Sequence, residues 1–564
     1  MQHLHQHFEK IGRSKRCFSL RAAEYFPVAF NPVPLKFRFS AHAAPRSLLF
    51  LLRFTPVAVG LLLSAPGCRN QETSGRNLNL PAAEPAKIHC GACHLPPDPA
   101  LLPKEVWERS VLPRMGYYLG FRDSLVNPYQ SISPADRMLV EQAQLFPENP
   151  LLEPADWTGI RAYYLSLAPD SLPALAPSTP APIRQFDVHS ISLEQAGNPY
   201  TAMIRFDSLT GQWMLSDIDG RFMQVTAAGK VGQLQQTISP VVDWQRRGNA
   251  AYLLEIGTFH PSDQALGTFS KASDKKNIPI IKGLKRPVTF DLADFDQDGS
   301  LDVVVGNFGY YFGDLSWYKL VNDQAVARQT LLALPGTTKV IATDVNQDAL
   351  PDIIALIGQG AEQVSAWIND GKGRFRQETW LRFPPVYGSS DLAWTDNNGD
   401  GHRDLVIANG DNADFSIVPK PYHGLRIYLN DGSNHFSEAY FYPMYGCTQV
   451  QAADFDQDGD IDLAATAFFP AYNIRPEASF VYLENQSAGA RIDFTPSGLP
   501  DGQMGRWLVL NQGDPDRDGR LDIYVTNITD DYMKECNFFW QNLGERSFLD
   551  VSRENGTCDT DWGW

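Results

Sequence analysis

Positive charge is what this 564-residue chain is short of: 48 Lys and Arg stand against 65 Asp and Glu, a formal charge of −17. That balance speaks against nucleic-acid binding, which needs a basic footprint. Cysteine and histidine are scarce, at 7 and 11, so a segment that uses both within five residues stands out. Uninterrupted apolar runs are scarce too. Leu48 to Leu63 is apolar except for Arg53, too short for a comfortable membrane span and better suited to the apolar region of an export signal. No Ser/His/Asp grouping or isolated carboxylate pair stands out, and His260, His402, His423 and His435 are scattered. Catalysis is therefore unassigned.

The content that is present argues for a folded, multidomain chain. Hydrophobic residues make up 43% and aromatics 12%, too much apolar material for a disordered protein, and the length exceeds what one ordinary core serves. Gly and Pro, at 43 and 40, suit many short strands joined by turns.

Residues 1–47 mix basic, aromatic and Pro residues without period, as expected for a disordered leader or an over-extended start. Residues 48–68 form the export signal and end in Ala65-Pro66-Gly67-Cys68. That ending resembles a bacterial lipobox, with Ala65 in place of the usual leucine. The resemblance implies lipidation of Cys68 and a membrane anchor; the alternative is a cysteine that merely follows a signal peptide. Either way the chain is expected to be exported, to a periplasm or an outer cell surface. Residues 69–80 read as a linker.

Cys90-Gly91-Ala92-Cys93-His94 has the spacing for one covalent c-type haem: two thiols three positions apart reach both vinyl groups, and the next residue offers an imidazole to the iron. The competing reading is a redox-active dithiol. It wants a strand–helix setting, which the Pro-rich sequel LPPDPALLP does not supply. No histidine lies between His94 and His189, and His89 is adjacent to Cys90, too close to reach the opposite haem face. Met115 and Met138 remain as sixth ligands, or the position is open. Met115 lies in LPRMGYYLG, where Pro113 and Gly116 predict an irregular loop. Met138 lies in a helix predicted to start after Ser133, where core packing is its ordinary role, so Met115 is favoured. Trp157, Ile160, Tyr164 and Leu167 recur near a helical period, which resembles the terminal helix of class I cytochromes c. The resemblance spans 81–170 and implies electron transfer. Residues 171–184, rich in Pro, Ala and Ser, read as a semi-rigid spacer that leaves the haem unit a separable module.

Beyond the spacer one pattern returns every 50 to 60 residues. It reads Asp294, Asp296, Asp298, Gly299, Asp302; then Asp454, Asp456, Asp458, Gly459, Asp462; then Asp514, Asp516, Asp518, Gly519, Asp522. Asp396, Asn398, Asp400, Gly401 and Asp404 form a close variant, and Asp344, Asn346, Asp348 and Asp352 a weaker one, with Ala349 replacing the glycine. Carboxylates at loop positions 1, 3, 5 and 9 with a turn-permitting glycine suit a hard cation, so four or five Ca²⁺ are expected. The Ala349 loop could equally be a metal-free turn. Five such ions would cancel more than half of the net charge. An EF-hand needs a Glu at position 12 and flanking helices, whereas each loop here runs into a β-type stretch such as LDVVVGN or RDLVIAN.

The repeats resemble the FG-GAP (VCBS-like) repeats of integrin α-subunit heads and many bacterial exported proteins. This resemblance implies a β-propeller over 185–564 with calcium held between strands. Stretches 206–213 and 242–254 look like degenerate copies, giving a count of seven blades. The expected fold is thus a small all-α cytochrome c domain followed by an all-β seven-bladed propeller. Cys536 and Cys558 could pair, leaving Cys447 alone, and the propeller either closes with its C-terminal tail or the frame is truncated. Function is expected to be electron transfer, with the propeller docking an unidentified redox partner or cell-surface ligand. An adhesion propeller with accessory haem is the alternative, as is a propeller dehydrogenase with fused cytochrome, although the adjacent-cysteine pair of many quinoprotein dehydrogenases is missing.

Overall fold

A computed structural model describes residues 83–174, 181–182, 186–189, 201–226, 230–273, 276–410, 418–468, 470, 479–487, 489, 491–498, 507–527 and 538–542. Cys68, Cys536, Cys558, the leader, the export signal and the C-terminal tail lie outside them.

Two short strands, β1 (Ala181–Pro182) and β2 (Phe186–His189), precede a long run of antiparallel hairpins. β3 to β6 (Thr201–Asp207, Gln212–Asp217, Arg221–Val225, Val231–Gln236) form one four-stranded sheet, and β7 to β10 (Val241–Arg247, Ala250–Glu255, Gly267–Lys271, Ile278–Leu284) the next. These two sheets begin at the degenerate copies. β11 to β14 (Pro287–Ala293, Asp302–Asn307, Asp314–Val321, Gln324–Leu332), β15 to β18 (Thr337–Thr343, Asp352–Ile357, Gln363–Asn369, Phe375–Arg382) and β19 to β22 (Ser389–Thr395, Asp404–Asn409, Gly424–Asn430, Phe436–Pro443) repeat the plan. β23 to β26 (Cys447–Ala453, Asp462–Ala467, Phe480–Asn485, Phe494–Gly498) follow, then β27 to β29 (Trp507–Gly513, Asp522–Asn527, Phe538–Asn542).

The result is a β-propeller. Seven blades were expected; among the described residues six four-stranded sheets are present. The remaining sheet, β23 to β26, has five strands because β1 adds to β26 in parallel, pairing Ala181 with Ser497 and Pro182 with Gly498. The spacer is therefore not wholly a spacer: its end serves as an edge strand, where a proline is tolerated. The C-terminal tail expected to close the propeller lies outside the described residues, and another closing contact is present. β2, at the beginning of the propeller chain, pairs antiparallel with β29 and supplies the outer strand of the last sheet.

Burial explains the sequence pattern of each blade. The second strands β12, β16, β20 and β24 are buried at every position, which is why they read as continuous apolar runs rather than alternating ones. Alternate residues serve opposite neighbours. Val303 and Val305 pack toward the preceding sheet while Val304 packs toward the following one, and Ile353, Ala355 and Ile357 oppose Ile354 and Leu356 in the same way. Fourth strands such as β14 are exposed along most of their length.

Ahead of the propeller lies a helical segment: α1 (Ala83–Cys90), α2 (Lys104–Val106), a π-helical turn Trp107–Val111, α3 (Leu112–Tyr118), α4 (Pro134–Gln142) and α5 (Pro154–Leu167). The Ser133 side chain caps α4, accepting from the Asp136 N–H. Trp157, Ile160 and Tyr164 of α5 are buried against Ala86, Leu102 and Trp107, whereas Leu167 is exposed. The Pro-rich strap after the cysteines is held by carbonyls: Trp107 Nε1 donates to Pro99 O at 2.9 Å and the Tyr164 hydroxyl to Pro97 O at 3.2 Å.

This segment is docked on the propeller, contrary to the expectation of a separable module. Asp136, 1% exposed, accepts from Ser262 Oγ at 2.8 Å and the Asp263 N–H at 2.7 Å. Asp263 in turn accepts the N–H groups of Tyr310, Tyr311 and Phe312 at 2.8–3.1 Å. The Tyr422 hydroxyl donates to Leu101 O at 2.9 Å, Val386 belongs to the helical core, and Phe146 meets Tyr311 edge-on at 5.6 Å. All these propeller residues sit in second-to-third-strand loops or in connections between sheets. In an up-and-down blade those connections share one face, and the Asp-rich loops between first and second strands occupy the other.

Candidate functional site

Cys90 ends α1 and Cys93 and His94 follow within one turn. Neither thiol is in a disulfide; Cys90 is half-buried and Cys93 exposed. Burial raises the Cys90 thiol pKa, partly offset by a hydrogen bond with Tyr164. His94 Nδ1 lies 3.0 Å from Leu95 O. A proton on Nδ1 shared with that carbonyl leaves the Nε2 lone pair for a metal. Gly91 has no room for a side chain, since a Cβ there would meet Lys87 O at 2.3 Å. The donor set, two thiols outside any disulfide and an imidazole with one nitrogen committed, fits covalent haem attachment.

Met115 is in a helix, not in an irregular loop. Pro113 falls at the second position of α3, and the π-helical turn just before it absorbs the missing N–H. Met115 and Cys90 both pack at the edge of the core formed by Trp107, Leu112 and Tyr164. Met138 is 56% exposed on α4 and does not pack in the core. Tyr118, whose pKa is raised first by burial and then by Tyr310, also feels the charges of Asp263 and Cys93. The Cys93 end of the motif therefore lies close to the seam with the propeller.

The five Asp-rich loops share one construction. The first carboxylate folds the loop: Asp294 accepts the N–H groups of Asp298 and Gly299 at 3.0 and 2.8 Å, Asp344, Asp396 and Asp514 accept the corresponding pairs, and Asp454 accepts the Gly459 N–H at 3.1 Å. Two backbone positions are left-handed in each loop, at φ 57° for Gln297 and 86° for Gly299 in the first. Ala349 takes the second of these positions at φ 66°, where a Cβ costs about 1–2 kcal/mol. Ala349→Gly is expected to stabilise the protein by about 0.5–1 kcal/mol, because strain relief exceeds the added unfolded-state entropy. A urea midpoint shifted downward would contradict that.

The ninth-position carboxylates Asp302, Asp352, Asp404, Asp462 and Asp522 are fully buried. Each accepts the N–H that closes the third strand, from Leu320, Asn369, Asn430, Asn485 or Asn542, at 2.7–3.0 Å. Burial is the main cause that raises their pKa values, with neighbouring loop carboxylates adding to it. Asp302 and Asp352 rise to about 6, Asp462 to about 7 and Asp522 to about 8, and Asp404 shifts in the same direction.

Carboxylate oxygens of Asp294, Asp296 and Asp302 lie within 4.8 Å of one another, as do those of Asp454, Asp456 and Asp458 and those of Asp514, Asp516 and Asp518. Buried oxygens of Asp454, Asp460 and Asp522 have no hydrogen-bond donor. Clustered acceptors without protons to share are what a hard divalent cation neutralises, so the donor sets of the 454–462 and 514–522 loops fit Ca²⁺, whereas in the 294–302 loop Lys319 Nζ already pairs with Asp296 and Asp298. The 344–352 and 396–404 loops bring two carboxylates and an amide oxygen at positions 1, 3 and 5, with Asn346 and Asn398 donating to Asp348 and Asp400 at 3.0 and 2.9 Å.

Reading the loops by their carboxylates missed a second set of residues. Asn369, Asn485 and Asn542 each send Nδ2 to a carbonyl in the loop of the preceding sheet: Phe295 at 2.8 Å, Asn397 at 3.0 Å and Phe455 at 2.6 Å. Asn434 does the same for Val345 O at 3.0 Å. The signal was available as an Asn recurring at the end of third strands (WIND, YLND, YLEN, FWQN).

Comparison with known proteins gives three findings. The FG-GAP-like repeat family matches residues 294–355, 344–407 and 396–465. No curated protein matches the chain. Solved structures similar in fold include the N-terminal domain of Nup159 (11% identity, 63% of this chain and 96% of that one, TM-score 0.38). The Pan2 WD40 domain of Neurospora crassa (12%, 67% and 100%, 0.41) and BBS1N in its complex with ARL6DN (10%, 66% and 100%, 0.42) are others.

Proposed function

We propose that this chain, which carries FG-GAP-like repeats on a β-propeller, is an exported electron-transfer protein with one covalent haem c and calcium in its Asp-rich loops. The observation that carries the reading is the closeness in sequence of two thiols outside any disulfide to a His94 whose Nδ1 is engaged by Leu95 O. Cys90 and Cys93 would hold the haem, His94 would bind the iron, and Met115 would supply the further ligand. The haem supplies a one-electron couple, which a thioether ligand raises in potential.

The chain's own residues do the remaining work. The Leu95 carbonyl fixes the orientation of the imidazole, and the Trp107, Leu112 and Tyr164 core excludes water beside Cys90. Asp136 and Asp263 fix the helical segment to the propeller, so a redox partner bound by the propeller would meet the haem in one orientation. A lipid on Cys68 would tether the protein to a membrane, at a periplasmic or outer-surface site.

Expression in cells with haem-maturation machinery should give a c-type pyridine haemochrome at one haem per chain. The Cys90→Ala/Cys93→Ala variant should lose it. Met115→Ala should keep the covalent haem but lower its potential. A wild-type chain without haem under these conditions would sink the reading.

A further inference from the structure

Buried Asp–backbone hydrogen bonds put Leu320, Asn369, Asn430, Asn485 and Asn542 in one register, at the closing end of each third strand. The residue one step earlier is Lys319, Ile368, Leu429, Glu484 or Gln541. In the first and last of these blades its side chain reaches the loop. Lys319 Nζ pairs with the Asp296 carboxylate and lies 2.7 Å from Asp298 Oδ2, and Gln541 Nε2 donates to Asp516 Oδ2 at 2.5 Å. In the 294–302 loop an ammonium thus bridges positions 3 and 5, between carboxylates that would otherwise share a metal ion.

The 454–462 loop is the opposite case. It has no basic residue, Asp460 adds a fifth carboxylate, and buried Asp454 and Asp460 oxygens lack donors. Its register residue is Glu484, a further negative charge.

We propose that the residue preceding the third-strand clamp sets the cation affinity of each loop. Lys319 serves as the internal cation of the 294–302 loop and holds it closed to calcium, while the 454–462 loop binds calcium most tightly. The proposal rests on the calcium reading above. The physical reason is charge count: a bound divalent ion must displace Lys319 or sit beside it, and ligand charge tunes such loops over orders of magnitude in Kd.

Terbium stands in for calcium in the test, on the full chain. Trp317 Nε1 donates to Asp302 Oδ2 at 3.3 Å, so this indole is an antenna for an ion in the 294–302 loop. Lys319→Gln should add one bound ion, with luminescence that disappears in the Lys319→Gln/Trp317→Phe double variant, and Lys319→Arg should behave as wild type. Glu484→Gln should weaken the tightest class of sites by about tenfold, a readout that does not depend on the Lys319 variants folding. Trp317-dependent luminescence in the wild type, or an unchanged ion count in folded Lys319→Gln, overturns the role of Lys319. An unchanged tightest Kd in Glu484→Gln overturns the ranking. If no form binds terbium or calcium, the calcium reading itself falls and takes this proposal with it.

Discussion

Chelation with EDTA at pH 8 should lower the melting temperature of the propeller by many degrees, and the loss should be larger at pH 8 than at pH 5. Each site bound at 100 times its Kd contributes about 2.7 kcal/mol, so three saturated loops contribute on the order of 8 kcal/mol. That is comparable to the whole stability of an ordinary domain. The pH dependence follows from the buried ninth-position carboxyls. In the folded, metal-free chain Asp302 and Asp352 keep their protons to about pH 6, Asp462 to about 7 and Asp522 to about 8. An unfolded Asp loses its proton near pH 4. The folded state thus binds more protons between about pH 4 and 8, and its stability falls as pH rises through that window. Calcium competes for the same oxygens, so with calcium in excess the trend should flatten or reverse. Scanning calorimetry at pH 5 and pH 8, with and without chelator, measures all four corners. Equal melting temperatures in calcium and in EDTA at pH 8 would show that the loops stand without metal.

Replacing Asp136 by alanine undocks the helical segment at a cost of about 3 kcal/mol. Its carboxylate accepts from Ser133 Oγ at 2.6 Å, Ser262 Oγ at 2.8 Å and the Asp263 N–H at 2.7 Å, all within a buried seam. Truncation leaves those donors without an acceptor, and each unpaired buried group costs about 1–3 kcal/mol. Asp263 is then less well placed to hold the Tyr310–Phe312 turn, so the effect should spread to the propeller side of the seam. Hydrogen exchange should show lost protection at residues 310–312 and 262–263, with the calcium loops on the opposite face unaffected. If the variant keeps wild-type protection there, the seam is held by Phe146, Tyr311, Tyr422 and the apolar contacts instead.

The Asp-rich loops were legible because their chemistry is local: positions 1, 3, 5 and 9 lie within nine residues, and the following strand is apolar throughout because both of its faces are covered. The helix capped by Ser133 was legible for the same reason. Pro113 and Gly116 predict a loop around Met115, but a π-helical turn accommodates the proline, and a Cβ on Gly116 would lie 3.1 Å from the Trp157 ring, so the glycine serves close packing. The closing strand β2 was missed because its partner β29 lies some 350 residues away in sequence.

The sequence by itself determined the repeating loop, the β-propeller it builds and the thiol–imidazole pentapeptide, since each rests on residue types at short, constant spacing. Only the tertiary structure decided that six sheets have four strands and one has five, that β2 completes the last sheet, and that the helical segment is fastened to the face opposite the Asp-rich loops. It also decided that Lys319 enters the first of those loops. These outcomes depend on which distant surfaces meet, and contact between them is set by packing and by the burial of polar groups such as Asp136 that need partners, not by any pattern readable along one stretch of chain.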